Sequence, residues 1–182
     1  MAFTSDLDQI TRAAAGDAAA IGALVHRYSP GVLTLATRML GDRMEAEDVT
    51  QETFLRAWKA LPGWEPRAKF STWLHRVALN LCYDRLRKRR EMLLGDDTPD
   101  MADTAPGPQD AFDQAQRVKS VEAAIARLPE RQSAALTLCA VQGHSQAEAA
   151  DIMSISVEAL ESLLARARRT LRAELLTEGE TG

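Results

Sequence analysis

Four arginines near the C-terminus, Arg166, Arg168, Arg169 and Arg172, fall on the outer side of what reads as a helix over 157–176. Guanidinium groups arranged this way suit phosphate oxygens. Glu158, Glu161 and Ser162 stand nearer the start of the same helix. Glu161 and Ser162 could touch base edges, since a carboxylate can accept from the cytosine amino group. Ser154-Ile155-Ser156 precede this helix, and before them runs a short helix over 146–153 that opens on a capping box, Ser145-Gln-Ala-Glu148. Short helix, tight turn and longer basic helix is the helix-turn-helix plan, in which the first helix braces the second in the major groove. An ordinary helical hairpin with a solvated arginine face would carry the same pattern.

A second constellation lies over 62–90. Trp64, Phe70 and Trp73 sit on or beside a loop with two prolines, PGWEPRAKF. The helix that follows, about 72–92 with Ser71 as its cap, presents Arg76, Asn80, Asp84 and Arg87 at steps of four, four and three. It ends in a basic run that includes Arg85, Lys88, Arg89 and Arg90. Aromatic rings beside cations offer unpaired bases a stacking face, and a loop pocket can hold a base swung out of a duplex. Phe70 and Trp73 would serve equally as core residues closing a bundle, whereas Trp64, followed by Glu-Pro, is expected to be exposed.

A third stretch, AEDVTQETFLRAW over 46–58, puts Asp48, Gln51, Glu52 and Arg56 on one polar stripe opposite Val49 and Phe54. Spacing alone says only that this is an amphipathic helix. Nothing points to catalysis: His26, His75 and His144 are isolated, and no HExxH, GxSxG or P-loop pattern occurs. Asp48 and Glu52 have no histidine at metal-ligating spacing, so neither a metal nor another cofactor is expected.

The elements that must hold these residues are all helical. Helices are expected at 6–14, 17–40, 43–60, 72–92, 116–128, 130–142, 146–153 and 157–176, with Asp17 as a cap and Pro30-Gly31 kinking or breaking the second. No strand pattern competes with them. Aromatic residues make up only 5% of the chain, so aliphatic side chains must supply the cores. The segment 93–115 has three prolines, two glycines and six acids, which is linker composition. It divides the chain into modules at 1–92 and 116–178. Extended, it could span roughly 75 Å.

The net charge of −4 conceals a sorting by segment. Residues 53–90 carry ten basic and two acidic groups, and 91–116 carry seven acidic and no basic ones. Such blocks suit different partners for different segments. No apolar run approaches the ~18 residues of a membrane span, and the first ten residues lack the pattern of a signal peptide. Cys82 and Cys139, far apart in the sequence, read as free thiols in a reducing cytoplasm.

Taken together, AEDVTQETFLRAWKAL, FSTWLHRVALNLCYDRLRKRR, the acidic linker and LPERQSAALTL…SQAEAADIMSISVEALESLLARARRTLR resemble a bacterial extracytoplasmic-function sigma factor of the sigma-70 family. The resemblance covers nearly the whole chain. It implies two small all-α domains, region 2 and region 4, that bind core RNA polymerase, read the −10 and −35 promoter elements and help melt the DNA. Asp48, Gln51 and Glu52 match the helix that grips the β′ clamp helices, and region 4 would meet the β flap. Phe70, Trp73, Arg76, Asn80, Asp84, Arg85, Arg87 and Lys88 match the −10 reader. Ser145, Glu158, Glu161, Ser162, Arg166, Arg168, Arg169 and Arg172 match the −35 reader. The linker corresponds to the segment that runs through the RNA-exit path. An anti-sigma factor is the expected regulator. In many relatives the recognition helix begins with cations, where this chain has Glu158 and Glu161. A stand-alone helix-turn-helix repressor is the alternative, and a small helical enzyme or metal protein a third reading.

Overall fold

The computed structural model describes residues 2–63, 69–95, 124–125 and 127–179, and among these every regular element is helical. The acidic segment from 96 onward, most of the helix expected at 116–128, and Trp64 lie outside the described residues.

Helix α1 (Ala2–Ala14) ends in a turn through Gly16, at φ +88°. Asp17 then starts α2 (Ala18–Leu40), its carboxylate accepting from the Ala19 and Ala20 amides at 2.9 and 3.3 Å. Helix α2 continues through Pro30, so the proline does not break it. Proline removes one amide and so orphans the His26 carbonyl, but both residues face solvent, where water replaces the lost bond. Gly41, left-handed at φ +68°, closes α2, and Asp42 caps α3 (Arg43–Ala60) by accepting from Glu45 N at 2.9 Å. A 3-10 turn at Leu61–Gly63 stops it.

Helix α4 (Phe70–Gly95) begins one residue before Ser71, so Ser71 is an internal residue and not the cap expected of it. Its carbonyl instead meets His75 Nδ1 at 2.7 Å. Helix α4 also runs three residues into the segment read as linker. Leu24, Val32 and Leu35 from α2, Val49 from α3, and Leu74, Leu79 and Cys82 from α4 are almost wholly buried and form the first core. Each such aliphatic side chain stabilises the fold by about 1.5–3 kcal/mol.

The second module opens its described part with a buried helical pair, Ala124 and Ile125. Helix α5 (Glu130–Leu136) follows Pro129 and loosens into a π-type turn over Thr137–Val141, where Gln142 N bonds Thr137 O at 3.0 Å. The single helix expected over 130–142 is therefore two geometries in series. Helix α6 (Gln146–Met153) has both arms of the capping box. Ser154, left-handed at φ 54°, turns the chain. Ser156 caps α7 (Val157–Gly179) by accepting from Ala159 N at 3.2 Å. Leu138, Ile152, Leu160, Leu164 and Ala167 fill the interior of the second module, continuous with the core of the first. The modules touch: α4 packs on α6, and α2 on α5.

Candidate functional site

Helices α3 and α4 enclose a groove of about 380 Å³ lined by Asp48, Gln51, Glu52 and Leu55 on one side and Asp84, Arg85 and Lys88 on the other. The four-residue repeat of α3 brings its three polar side chains to one stripe, and Asp48 meets Arg85 at 3.7 Å across the groove. Arg56 donates to Glu52 at 2.8 Å and holds its carboxyl below the usual carboxylate range. Leu55 is an exposed apolar residue in the same groove. The surface thus mixes three acids with three bases around the apolar Leu55 and Leu81, a form suited to another protein.

The basic end of α4 is laced with acids. Arg87 lies 3.0 Å from Asp84 and 3.8 Å from Glu91. Arg89 reaches Glu45 at 2.8 Å and also donates to the Leu40 carbonyl at the end of α2. Exposed pairs of this kind are worth ~0–1 kcal/mol, so phosphates can displace them. Asn80 and Lys88 are exposed. Trp73 is half-buried and stacks on Phe70, with ring centroids 6.1 Å apart and planes at 17°. Phe70 itself is 3% exposed and meets Tyr28 edge-on at 5.6 Å. Its expected place among the base-contacting residues is therefore corrected: the helix starts at Phe70, and that turns the ring into the core.

On α7, Glu158, Glu161, Ser162, Arg169 and Arg172 share one exposed face, flanked by exposed Arg166 and Arg168. Backbone and Ser156 hydrogen bonds lower the pKa of Glu158. Glu158 in the first turn also complements the helix dipole, which gives the unusual start of this helix a stabilising role. The Ser162 hydroxyl donates to the Glu158 carbonyl at 3.0 Å. Ser145, expected on DNA, spends its hydroxyl on the capping box, accepting from Glu148 N at 3.2 Å and donating to the Glu148 carboxylate at 3.1 Å.

Comparison with known proteins bears on both modules. Residues 24–92 match the sigma-70 region 2 family model and 119–171 the sigma-70 region 4 model. RNA polymerase sigma factor CnrH of Cupriavidus metallidurans is 33% identical, over 96% of this chain and 97% of its own. The chain belongs to the sigma-70 family. Its relatives include ECF RNA polymerase sigma factor SigW of Bacillus subtilis, 32% identical over 88% of this chain and 91% of that protein. SigE of Mycolicibacterium smegmatis is 32% identical over 87% of this chain, which spans 64% of SigE's length. The structure of CnrH in complex with the cytosolic domain of CnrY superposes with a TM-score of 0.71 at 30% identity, over 94% of this chain and 97% of that one. Proteins of this extracytoplasmic-function group are transcription-initiation factors and not enzymes. Among the described residues no His, Cys, Asp and Glu cluster is placed to hold a metal, and no helix is long and apolar enough to cross a membrane.

In this sigma factor, region 4 sits directly on region 2. Arg76 donates to the Asp151 carbonyl at the end of α6, and its guanidinium lies 3.7 Å from the Asp151 carboxylate. Lys69 pairs with Glu148, and Arg90 with Glu130. Lys69 and the Ser145 amide together hold the Glu148 carboxyl down at about 2. Gln142 donates to the Gly31 carbonyl at 2.6 Å. Sequence reasoning passed over Lys69, Gln142, Glu130, Glu148 and Asp151 as contact residues. Their partners lie 40 to 111 positions away, and nothing in local spacing marks them.

Proposed function

We propose that the chain binds core RNA polymerase through the α3–α4 groove and directs it to promoters with α4 and α7. Asp48, Gln51 and Glu52 would meet the β′ clamp helices, with Leu55 supplying the apolar contact at the centre. Trp73, Arg76, Asn80 and the basic end of α4 through Arg85, Arg87 and Lys88 would read the −10 element and hold the opened strand. Arg166, Arg168, Arg169 and Arg172 would hold phosphates at the −35 element, with Glu158, Glu161 and Ser162 nearest the bases and region 4 against the β flap. The observation that supports this reading is the adjacency of two surfaces on one small module: a polar, charge-mixed groove for protein that runs, through Arg85 and Lys88, into a basic helix end for nucleic acid. It works in the cytoplasm, where the polymerase is. An anti-sigma factor would hold it inactive, as the complex of the similar CnrH with the cytosolic domain of CnrY suggests by analogy.

Run-off transcription with core enzyme over a promoter library tests the proposal. Initiation at specific start sites only when the chain is added supports it. Core enzyme that initiates identically with and without the chain overturns it.

A further inference from the structure

Within the basic run of α4, Arg85 stands apart. Arg87, Lys88, Arg89 and Arg90 are exposed, whereas the Arg85 side chain keeps 34% of its surface and lines the groove between α3 and α4. It stands one turn beyond the buried Leu81, on the same face of α4. Its guanidinium lies 3.7 Å from the Asp48 carboxylate. Glu52, one turn further along α3, lies within its field as well. The Glu52 carboxyl is held below the usual range by the hydrogen bond from Arg56 first, with Lys59 and Arg85 adding their charge. One cation of α4 therefore serves two acids of α3.

Those acids need a counter-charge. Asp48 and Glu52 are four residues apart on one helix face, where like charges repel. Asp84 adds a third acid on the facing wall. Glu52 has Arg56 on its own helix at 2.8 Å, but the ion pair of Asp48 reaches across to α4. Even so, Asp48 keeps 68% of its side-chain surface. A carboxylate offers about four lone-pair sites, so the outer side of Asp48 stays open to a partner while Arg85 stands behind it.

We propose that Arg85 is a positioning residue of the polymerase surface, holding the Asp48 and Glu52 carboxylates where a partner's cations meet them. The inference rests on the assignment of the groove to core polymerase, and the role is separate from the phosphate contact assigned to Arg85. Carboxylates ordered beforehand lose less freedom on association. The pair with Asp48 is longer than a hydrogen bond, so it needs a positive charge and not the fork of a guanidinium.

The test is the affinity of the full-length chain for core RNA polymerase, read by the anisotropy of a fluorophore on the chain, with a thermal melt of each variant. Arg85→Gln should weaken association about fivefold, the upper reach of a partly exposed ion pair. Arg85→Lys should stay within about twofold of wild type, because it keeps the charge. Arg43→Gln removes the same charge from the start of α3, outside the groove, and should also stay within about twofold. In an Asp48→Asn chain, Arg85→Gln should add less than about twofold, because the acid it chiefly serves is gone. Affinity that Arg85→Gln leaves unchanged or raises overturns the inference. So does an undiminished loss in the Asp48→Asn background, or an equal loss in Arg43→Gln. The groove assignment is judged separately: Asp48→Arg with normal core affinity rejects it, whatever Arg85→Gln does.

Discussion

The imidazoles of His75 and His144 meet edge to face across the two modules, with ring centroids 5.0 Å apart and planes at 77°. His75 Nδ1 faces the Ser71 carbonyl, which can only accept, so Nδ1 carries the proton and Nε2 is left as a buried acceptor with no hydrogen-bond partner among the described residues. Gly31 makes room for the ring: a Cβ there would come within 3.2 Å of Nε2. The joint between the modules is thus built around a neutral histidine pair.

That pair makes the fold sensitive to acid. Burial lowers the pKa of His75, with the Ser71 carbonyl opposing and His144 reinforcing the shift. Burial likewise lowers His144, where Glu148 opposes and Lys69 reinforces. A lowered histidine pKa means that the unfolded chain binds more protons than the folded one. Stability is therefore undiminished above the ordinary value of about 6.5 and weakens as pH falls below it. Glu148, held at about 2, stays charged through that window and does not contribute to the change. The urea midpoint should fall between pH 7.5 and 5.5 in wild type and fall less in His144→Phe. Equal loss in both proteins would exclude the histidine pair as the cause.

Asp48→Arg should abolish association with core polymerase while leaving the fold intact. The Asp48 side chain is 68% exposed and its pair with Arg85 is long at 3.7 Å, so the loss of stability should stay within about 1 kcal/mol. Reversing the charge places a cation opposite Arg85 and Lys88 in the groove that the polymerase would fill. Co-purification with tagged core enzyme, beside a thermal melt, checks both halves. Undiminished co-purification would remove the groove from the polymerase contact.

Ser145→Ala should cost about 1 kcal/mol of stability, the usual worth of a serine cap. The hydroxyl accepts from Glu148 N and donates to its carboxylate, so its loss frees both ends of the box. Urea denaturation of the full chain measures it. If stability is unchanged while −35 binding falls, the hydroxyl acts on DNA and not as a cap.

Local signals in the sequence carried much of this fold. Asp17 capping α2, the Ser145–Glu148 box and the start of α7 after Ser156 follow from hydrogen bonds between residues two to three positions apart. Contact at a distance was not legible. Arg76 and Asp151 are 75 positions apart, and each alone reads as an ordinary surface charge. Phe70 illustrates the intermediate case. Its type fitted both a base-stacking platform and a core, and only its 3% exposure and its contact with Tyr28 decide for the core. Pro30 shows why a proline alone does not mark a helix end: the one amide it removes orphans the carbonyl of His26, an exposed residue on the wet side of α2.

Arg169→Ala should weaken promoter binding and flatten its salt dependence. Arg169 is exposed on the same face of α7 as Glu158, Ser162 and Arg172. A guanidinium on a phosphate releases one condensed counterion, so its removal should lower the slope of log affinity against log salt by about 0.9. Glu158→Ala should behave differently: it removes a charge that the first turn of α7 stabilises, and any effect on DNA should depend on the base sequence and leave the slope nearly unchanged. Titrating holoenzyme onto a labelled promoter at several salt concentrations separates the two. A flattened slope for Glu158→Ala, or an unaltered one for Arg169→Ala, would reassign which end of the helix holds the backbone and which end reads the bases.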